Sequence, residues 1–276
     1  MRPRILAAAA LAGWLACGGA KAQDPPDIAT PYVPSTLIAV DEMLRLADVG
    51  PNDVVVDLGS GDGRVVIAAA RDYGARGLGI ELDPKLVEQA RVNAREAGVQ
   101  ERVAFRQGDA LAADYREATV VTLYLLPNLV DRLKPRLYDM RPGTRIVAHD
   151  YGFSDWRPDR RVVISKSYML YVVPAKVAGR WRLQYRGLDH EFELEQRYQE
   201  IKGGARVPGG YLPAFEARLD GDRISFVLVD GDASHRFEGR VRGTLEMEGE
   251  VRSGTGRNLS TGRWRATRVV RGGGEE

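Results

Sequence analysis

The sequence predicts an α/β fold, a mostly parallel sheet with helices on both faces, followed by a small antiparallel β-domain, barrel or sandwich. Three observations predict it. Short apolar runs alternate with helical-period segments from Val54 to His149, as buried parallel strands and covering helices do. A glycine-rich turn, Gly59-Ser-Gly61-Asp-Gly63, joins the first of those runs to the first helix after it. After Pro174 the texture changes to period-two alternation punctuated by glycine, the pattern of half-buried antiparallel strands.

The first element is an export signal. Arg2 and Arg4 form a basic start, Ile5 to Ala16 an apolar stretch, and Ala20-Lys21-Ala22 a small-x-small cleavage site. Residues 1–22 are therefore expected to be a cleaved signal peptide and the protein to be exported, to a periplasm, with lipidation at Cys17 as the alternative. The stretch falls short of the roughly 20 residues that span a bilayer as a helix. The segment Gln23 to Pro34 carries Pro25, Pro26, Pro31 and Pro34 and reads as an extended lead-in.

From Ser35 the spacing of Leu37, Val40, Met43, Leu44 and Ala47 predicts a helix ending near Gly50-Pro51. A strand over Val54 to Leu58, a helix over Gly63 to Tyr73, a strand over Gly77 to Glu81 and a helix over Pro84 to Ala97 follow. Further strands are expected at Val103 to Phe105, Ala118 to Leu125 and Thr144 to His149, with a helix at Leu129 to Met140. Val162 to Ile164 and Tyr168 to Val173, separated by three residues, should form an antiparallel hairpin. In the last third, Trp181/Leu183/Tyr185, Ile224/Phe226/Leu228 and Trp264/Ala266 alternate, with turns at Gly221-Asp222 and Gly231-Asp232. The expected division is 23–177 for the α/β domain and 178–270 for the β-domain, with 271–276 a disordered tail.

Composition bounds the chemistry. Of 276 residues 44% are hydrophobic and 28% charged, as in an ordinary globular protein, and the net charge is only +2. No basic tail or basic aromatic stripe advertises nucleic-acid binding, so no nucleic acid is expected as a partner. Cys17 is the single cysteine, so a chain cleaved after Ala22 has neither a disulfide nor a thiolate. Cleavage also removes Arg2, Arg4 and Lys21, taking 40 basic residues to 37 against 38 acidic ones, a net charge of −1. His190 and His235 have no partners at ligand spacing, and no metal site is expected.

The segment Asp57-Leu-Gly59-Ser-Gly61-Asp-Gly63-Arg64 falls at the end of the first strand and the start of the next helix. Glycines there let the backbone turn sharply and approach a ligand where a Cβ would collide. The Gly-x-Gly-x-Gly spacing differs from the Gly-x-Gly-x-x-Gly of dinucleotide sites, and no Gly-Lys-Ser/Thr phosphate loop is present, which disfavours pyrophosphate. Asp57 and Glu81 leave successive strands at the carboxyl edge of the sheet, where such folds bind ligands. A carboxylate there can accept both hydroxyls of a ribose, and Asp109 after the third strand is suited to an adenine amino group. Singly, each has a plain structural reading: Asp62 and Asp109 as helix caps, Glu81 as a solvated charge. In order, at successive strand ends, they fit a non-phosphorylated adenosine.

These stretches, with Pro31-Tyr-Val-Pro-Ser35, Gly79-Ile-Glu-Leu-Asp-Pro84 and Tyr124-Leu-Leu-Pro127, resemble the class I S-adenosylmethionine-dependent methyltransferases, and among them the ATP synthase c-subunit lysine methyltransferase family and its bacterial relatives. The resemblance spans about residues 30 to 155 and implies a Rossmann-like sheet with S-adenosyl-L-methionine as cofactor. It implies that Asp57, Gly59, Gly61 and Gly63 wrap the methionine end, that Glu81 holds the ribose and Asp109 the adenine, and that Tyr32 and Ser35 fold over the cofactor. A protein lysine is the acceptor it suggests.

Methyl transfer of this kind is an in-line displacement, in which positioning and desolvation supply most of the catalysis. A lysine nucleophile must first lose a proton, its ordinary pKa being about 10.4. Tyr124 and Asn128, beyond the fourth strand, are placed to line the acceptor pocket, with ordinary loop residues as the other reading. His149, ending the fifth strand, could act as a general base or serve as a structural hydrogen-bonder. The rival functions are a small-molecule methyltransferase and an exported, non-catalytic binding protein whose β-domain does the work.

Overall fold

The computed structural model describes residues 34–256 and 258–270. The expected signal peptide, Tyr32 and the expected tail lie outside them. Helix α1 (Leu37–Leu46) begins at Thr36, whose hydroxyl accepts from the Ala39 amide at 3.1 Å. Strands and helices then alternate: β1 (Val54–Leu58) and α2 (Arg64–Tyr73), then β2 (Arg76–Glu81) and α3 (Pro84–Glu96). After β3 (Val103–Gln107) and β4 (Val120–Leu123) come α4 (Pro127–Tyr138) and β5 (Arg145–His149), and the hairpin β6 (Arg160–Val163) and β7 (Ser167–Val172) completes the first sheet.

The strand order is β3-β2-β1-β4-β5-β7-β6, parallel through β5, with β7 and β6 antiparallel. The expected hairpin thus forms the far edge. Alternation along the strands sorts the core into two faces. Val55, Val120, Val147 and Leu170 pack beneath α1 and α2, while Val56, Leu58, Val121, Leu123 and Ile146 pack against Val130, Leu133 and Leu137 of α4. Helix α3 covers the end of the sheet through Val87, Ala90 and Ala94 against Phe105. The carboxyl ends of β1, β2, β4 and β5, carrying Asp57, Glu81, Tyr124 and His149, therefore share one edge.

The second sheet holds nine strands: β8 (Gly179–Tyr185), β9 (Leu188–Arg197), β10 (Glu200–Val207), β11 (Gly210–Pro213), β12 (Phe215–Asp220), β13 (Arg223–Asp230), β14 (Ala233–Arg242), β15 (Glu246–Thr255) and β16 (Asn258–Arg268). Its order runs β11-β10-β9-β8-β16-β15-β14-β13-β12. The two edge strands are consecutive segments of one kinked run. β11 pairs with β10, the Ala214 amide donates to the Gly203 carbonyl at 2.8 Å, and β12 continues onto β13 with a register shift between Phe215 and Arg218. The kink bridges both edges and curls the sheet into a nearly closed, barrel-like up-and-down sheet. Its interior is filled by side chains, as expected for a barrel of this size. Phe226 stacks between Phe192 and Phe237 at 4.8 and 4.5 Å, and Trp264 packs edge-on against Phe226 and Phe237.

The barrel is seated on the α4 side of the first sheet. Trp156, in the loop after β5, stacks on Tyr198 at 5.0 Å and donates through Nε1 to Gln199 Oε1 at 2.8 Å. Tyr138 of α4 meets both rings edge-on, and the Ala175 amide donates to the Gly221 carbonyl. No helix among the described residues is long and apolar enough to cross a membrane.

Candidate functional site

The glycine turn is built for close approach. Gly59, Gly61 and Gly63 all have positive φ (80°, 53° and 82°), a region that side-chain-bearing residues avoid. A Cβ on Gly63 would meet the Phe105 ring at 2.6 Å and the Ala90 methyl at 2.9 Å, so this turn is also the place where α2, α3 and β3 come together. The Glu81 carboxylate ties the turn to β2. It accepts from the Gly61 amide at 2.8 Å through Oε2, and from the Leu82 and Asp83 amides at 2.7 and 3.0 Å through Oε1.

Asp57 is buried at the end of β1 and accepts a hydrogen bond from the Thr122 hydroxyl at 2.6 Å. Burial raises its pKa to about 7, opposed by the Thr122 hydrogen bond and reinforced by the nearby charges of Glu81 and Asp62. Three carboxylates thus converge on one turn, and the most buried of them is destabilised as an anion until a cation arrives. The Ser60 hydroxyl is buried there with no hydrogen-bond partner among the described residues. A cradle without Cβ atoms, an acidic lining and an unmatched hydroxyl fit a cationic nucleoside with polar groups of its own.

Asp109 lies after β3, half-buried, with Oδ1 accepting from the Leu111 amide at 2.8 Å. That bond uses one of its acceptor positions and leaves others. Arg64, the first residue of α2, pairs with Asp62 and donates through Nη1 to the Ser35 carbonyl at 2.6 Å. Ser35 sits at the entry to α1, and its hydroxyl lies 3.3 Å from Nδ1 of His149 rather than against the glycine turn.

Pairing across the sheet puts a second group beside the first. Asp57 is the partner of Thr122 in the parallel ladder, and Thr122 the partner of Val147. Tyr124 and His149, two residues further along their strands, therefore stand on the same face at the carboxyl edge, and Tyr168 is paired with His149 from β7. Their rings stack in a row: Tyr124 on His149 at 4.1 Å, His149 on Tyr168 at 5.0 Å. His149 is 3% exposed and its Nε2 has no hydrogen-bond partner among the described residues. Burial lowers its pKa, so the ring is neutral at pH 7. Asn128 is exposed in the first turn of α4. Tyr168 was not among the residues the sequence pointed to, because its place in the row comes from an antiparallel register and not from a motif.

Five large apolar side chains are exposed along this edge. Leu37 and Ile38, both 73% exposed at the start of α1, stand with exposed Leu82, Leu126 and Tyr151 on the segments that follow Ser35, Glu81, Tyr124 and Asp150. His190 and His235 lie in the barrel, where His235 Nδ1 is 2.9 Å from the Ser253 hydroxyl.

Comparison with known proteins converges on the same segment. The sequence model of the ANTKMT methyltransferase domain matches residues 57–160. A protein-lysine N-methyltransferase of Saccharolobus islandicus is 37% identical over 151 residues, covering 54% of this chain and 94% of that protein. The ATP synthase c-subunit lysine N-methyltransferase of Xenopus laevis is 34% identical over 130 residues, 47% of this chain and 57% of that protein. The chain thus spans nearly all of the archaeal relative and about half the length of the vertebrate one. Among solved structures, one described as an RNA methyltransferase from Salinibacter ruber, in complex with S-adenosyl-L-homocysteine, is 53% identical with a TM-score of 0.52, covering 52% of this chain and 96% of that one. These three matches each cover only about half of this chain. With its glycine cradle, its acidic strand ends and these relatives, the chain belongs to the ANTKMT-type family of S-adenosylmethionine-dependent methyltransferases.

Proposed function

We propose that this enzyme methylates a protein lysine, with cofactor and acceptor meeting at the carboxyl edge of the first sheet. The observation that carries the reading is the placing of a destabilised Asp57 at the end of β1 beside a neutral aromatic and imidazole row, which stands two residues beyond its ladder neighbours Thr122 and Val147 on β4 and β5. Bound S-adenosylmethionine supplies an electrophilic methyl group on sulfur. Asp57 and the turn amides take its methionine end, Glu81 the ribose, and Asp109 the adenine. Ser35 stands at the entry to α1 with its carbonyl on Arg64, and the family resemblance assigns it and Tyr32 to the cover over that group. Tyr124, Asn128 and His149 face the acceptor amine.

The apolar rim formed by Leu37, Ile38, Leu82, Leu126 and Tyr151 favours a polypeptide over a phosphodiester backbone. The names of the archaeal and vertebrate relatives support lysine as the acceptor. The Salinibacter protein, described as acting on RNA, gives the rival acceptor. We also take residues 1–22 as an export signal cleaved after Ala22, placing the enzyme in a periplasm, and residues 178–270 as a separate β-domain following the catalytic one.

Titration calorimetry of the chain from Gln23 with S-adenosylmethionine tests the first step. Micromolar binding, about −8 kcal/mol, lost in Glu81→Ala is the expected result. Absence of binding to the unsubstituted protein contradicts the proposed site.

A further inference from the structure

We propose that His149 takes the proton of the acceptor ammonium on Nε2, and that Ser35 and Tyr168 are the positioning residues that fix its tautomer and its ring. The inference rests on the reading of the site as a lysine methyltransferase centre.

A structural histidine in a protein interior uses both ring nitrogens, because a buried polar atom without a partner is costly. His149 uses one. Its Nδ1 lies 3.3 Å from the Ser35 hydroxyl, while Nε2 is buried and without a partner among the described residues. With Nδ1–H donating to Ser35 Oγ, the lone pair is left on Nε2, the tautomer a proton acceptor needs. The ring cannot rotate to carry Nδ1 away from Ser35 without breaking its stack, since Tyr124 lies against it at 4.1 Å and Tyr168 at 5.0 Å, both within 25° of parallel.

The backbone is arranged around the same residue. Asp150, next in the chain, has φ of 62°, a left-handed conformation uncommon for a side-chain-bearing residue, and is held there by its amide on the Ser167 carbonyl at 2.7 Å. The turn sends the Asp150 carboxylate away to Lys166 and the Ser167 amide. The charged and titratable groups around the imidazole are then Asp150 and Lys166, which oppose one another, with the phenols of Tyr124 and Tyr168 on its faces. Burial dominates, keeping the ring neutral and able to accept.

The acceptor ammonium gives one proton to Nε2, forming an imidazolium whose Nδ1–H still donates to Ser35. The freed nitrogen lone pair forms the bond to the methyl carbon, the carbon–sulfur bond breaks with its electron pair on sulfur, and the imidazolium loses its proton to water as product leaves. Ser35 also accepts from Arg64 through its carbonyl, so one residue ties the cofactor turn to the proton acceptor.

Two measurements test this. The first is kcat/KM against pH with poly-L-lysine as acceptor. A base on the enzyme predicts a plateau from about pH 7 to the basic limb set by the lysine, near 10.4. Ser35→Ala and Tyr168→Leu should lower the plateau about 10²-fold and replace it with a rate that rises with pH throughout, with unchanged cofactor affinity for Tyr168→Leu. Tyr168→Phe, which keeps the ring, should restore the plateau. A wild-type rate that itself rises tenfold per pH unit from 7 to 9 overturns the proposal.

The second is ¹⁵N NMR of the His149 ring, which requires no turnover. Protonated Nδ1 and bare Nε2 at pH 7.5, becoming a mixture in Ser35→Ala, is the expected result. A protonated Nε2, or no change in Ser35→Ala, contradicts it. If poly-L-lysine is not methylated although cofactor binds, the lysine reading suffers and the tautomer still decides this proposal.

Discussion

The Thr122 hydroxyl donates a 2.6 Å hydrogen bond to Asp57 Oδ1, joining adjacent positions of β4 and β1 beneath the glycine turn. That bond lowers the pKa of the carboxyl against its burial, which still leaves it raised to about 7. The sign of its effect on stability is determined. A carboxyl whose folded pKa exceeds its unfolded value, about 3.9, binds more protons folded than unfolded, so it weakens the fold as pH rises from about 4 to 7. Asp57→Asn should therefore be more stable than wild type at pH 8, by on the order of 1 kcal/mol or more, and no more stable at pH 4. Urea denaturation at the two pH values measures it.

The same carboxylate makes cofactor binding pH-dependent. A cation beside Asp57 favours its ionised form, so affinity for S-adenosylmethionine should tighten as pH rises through 7 and level off above it. S-adenosylhomocysteine, lacking the sulfonium charge, should show a shallower dependence. Calorimetry at pH 6 and 8 with both ligands reads the difference, and Asp57→Asn should abolish it.

Gly63 carries two constraints, a φ of 82° and two neighbours inside contact distance of any Cβ. Gly63→Ala should cost about 2–4 kcal/mol, combining backbone strain with overpacking against Phe105. Gly98 has a similar φ of 69° with open space around it, and Gly98→Ala should cost only about 1 kcal/mol. Thermal unfolding of the pair separates packing from backbone.

Trp156 holds the barrel to the first sheet through its stack on Tyr198, its hydrogen bond to Gln199 and its contacts with Phe153 and Tyr171. Trp156→Ala should destabilise the protein by about 3–5 kcal/mol. Differential scanning calorimetry should also show the single transition broadening or splitting as the two sheets lose their common seat.

Much of this was legible in the sequence because local signals agreed with the global fold. The apolar runs placed β1 through β5, the glycine spacing placed the cradle at the end of β1, and the three-residue gap at Ser165 to Ser167 placed the β6–β7 hairpin. The closure of the barrel was not legible, since it depends on one kinked run, Gly210 to Asp220, pairing with two strands that lie on either side of it in sequence. The tie from Ser35 to His149 spans 114 residues, and the stack of His149 on Tyr168 is set by antiparallel register. Neither contact leaves a pattern within any short stretch of residues.

Acceptor identity is tested most directly by incubating the protein with S-adenosylmethionine carrying a labelled methyl group and a whole-cell extract of protein and RNA, then hydrolysing the products. Label is expected in ε-N-methyl-lysine from the protein fraction, and is expected to be absent with Glu81→Ala. Label confined to RNA or to small molecules would contradict lysine methylation by this site.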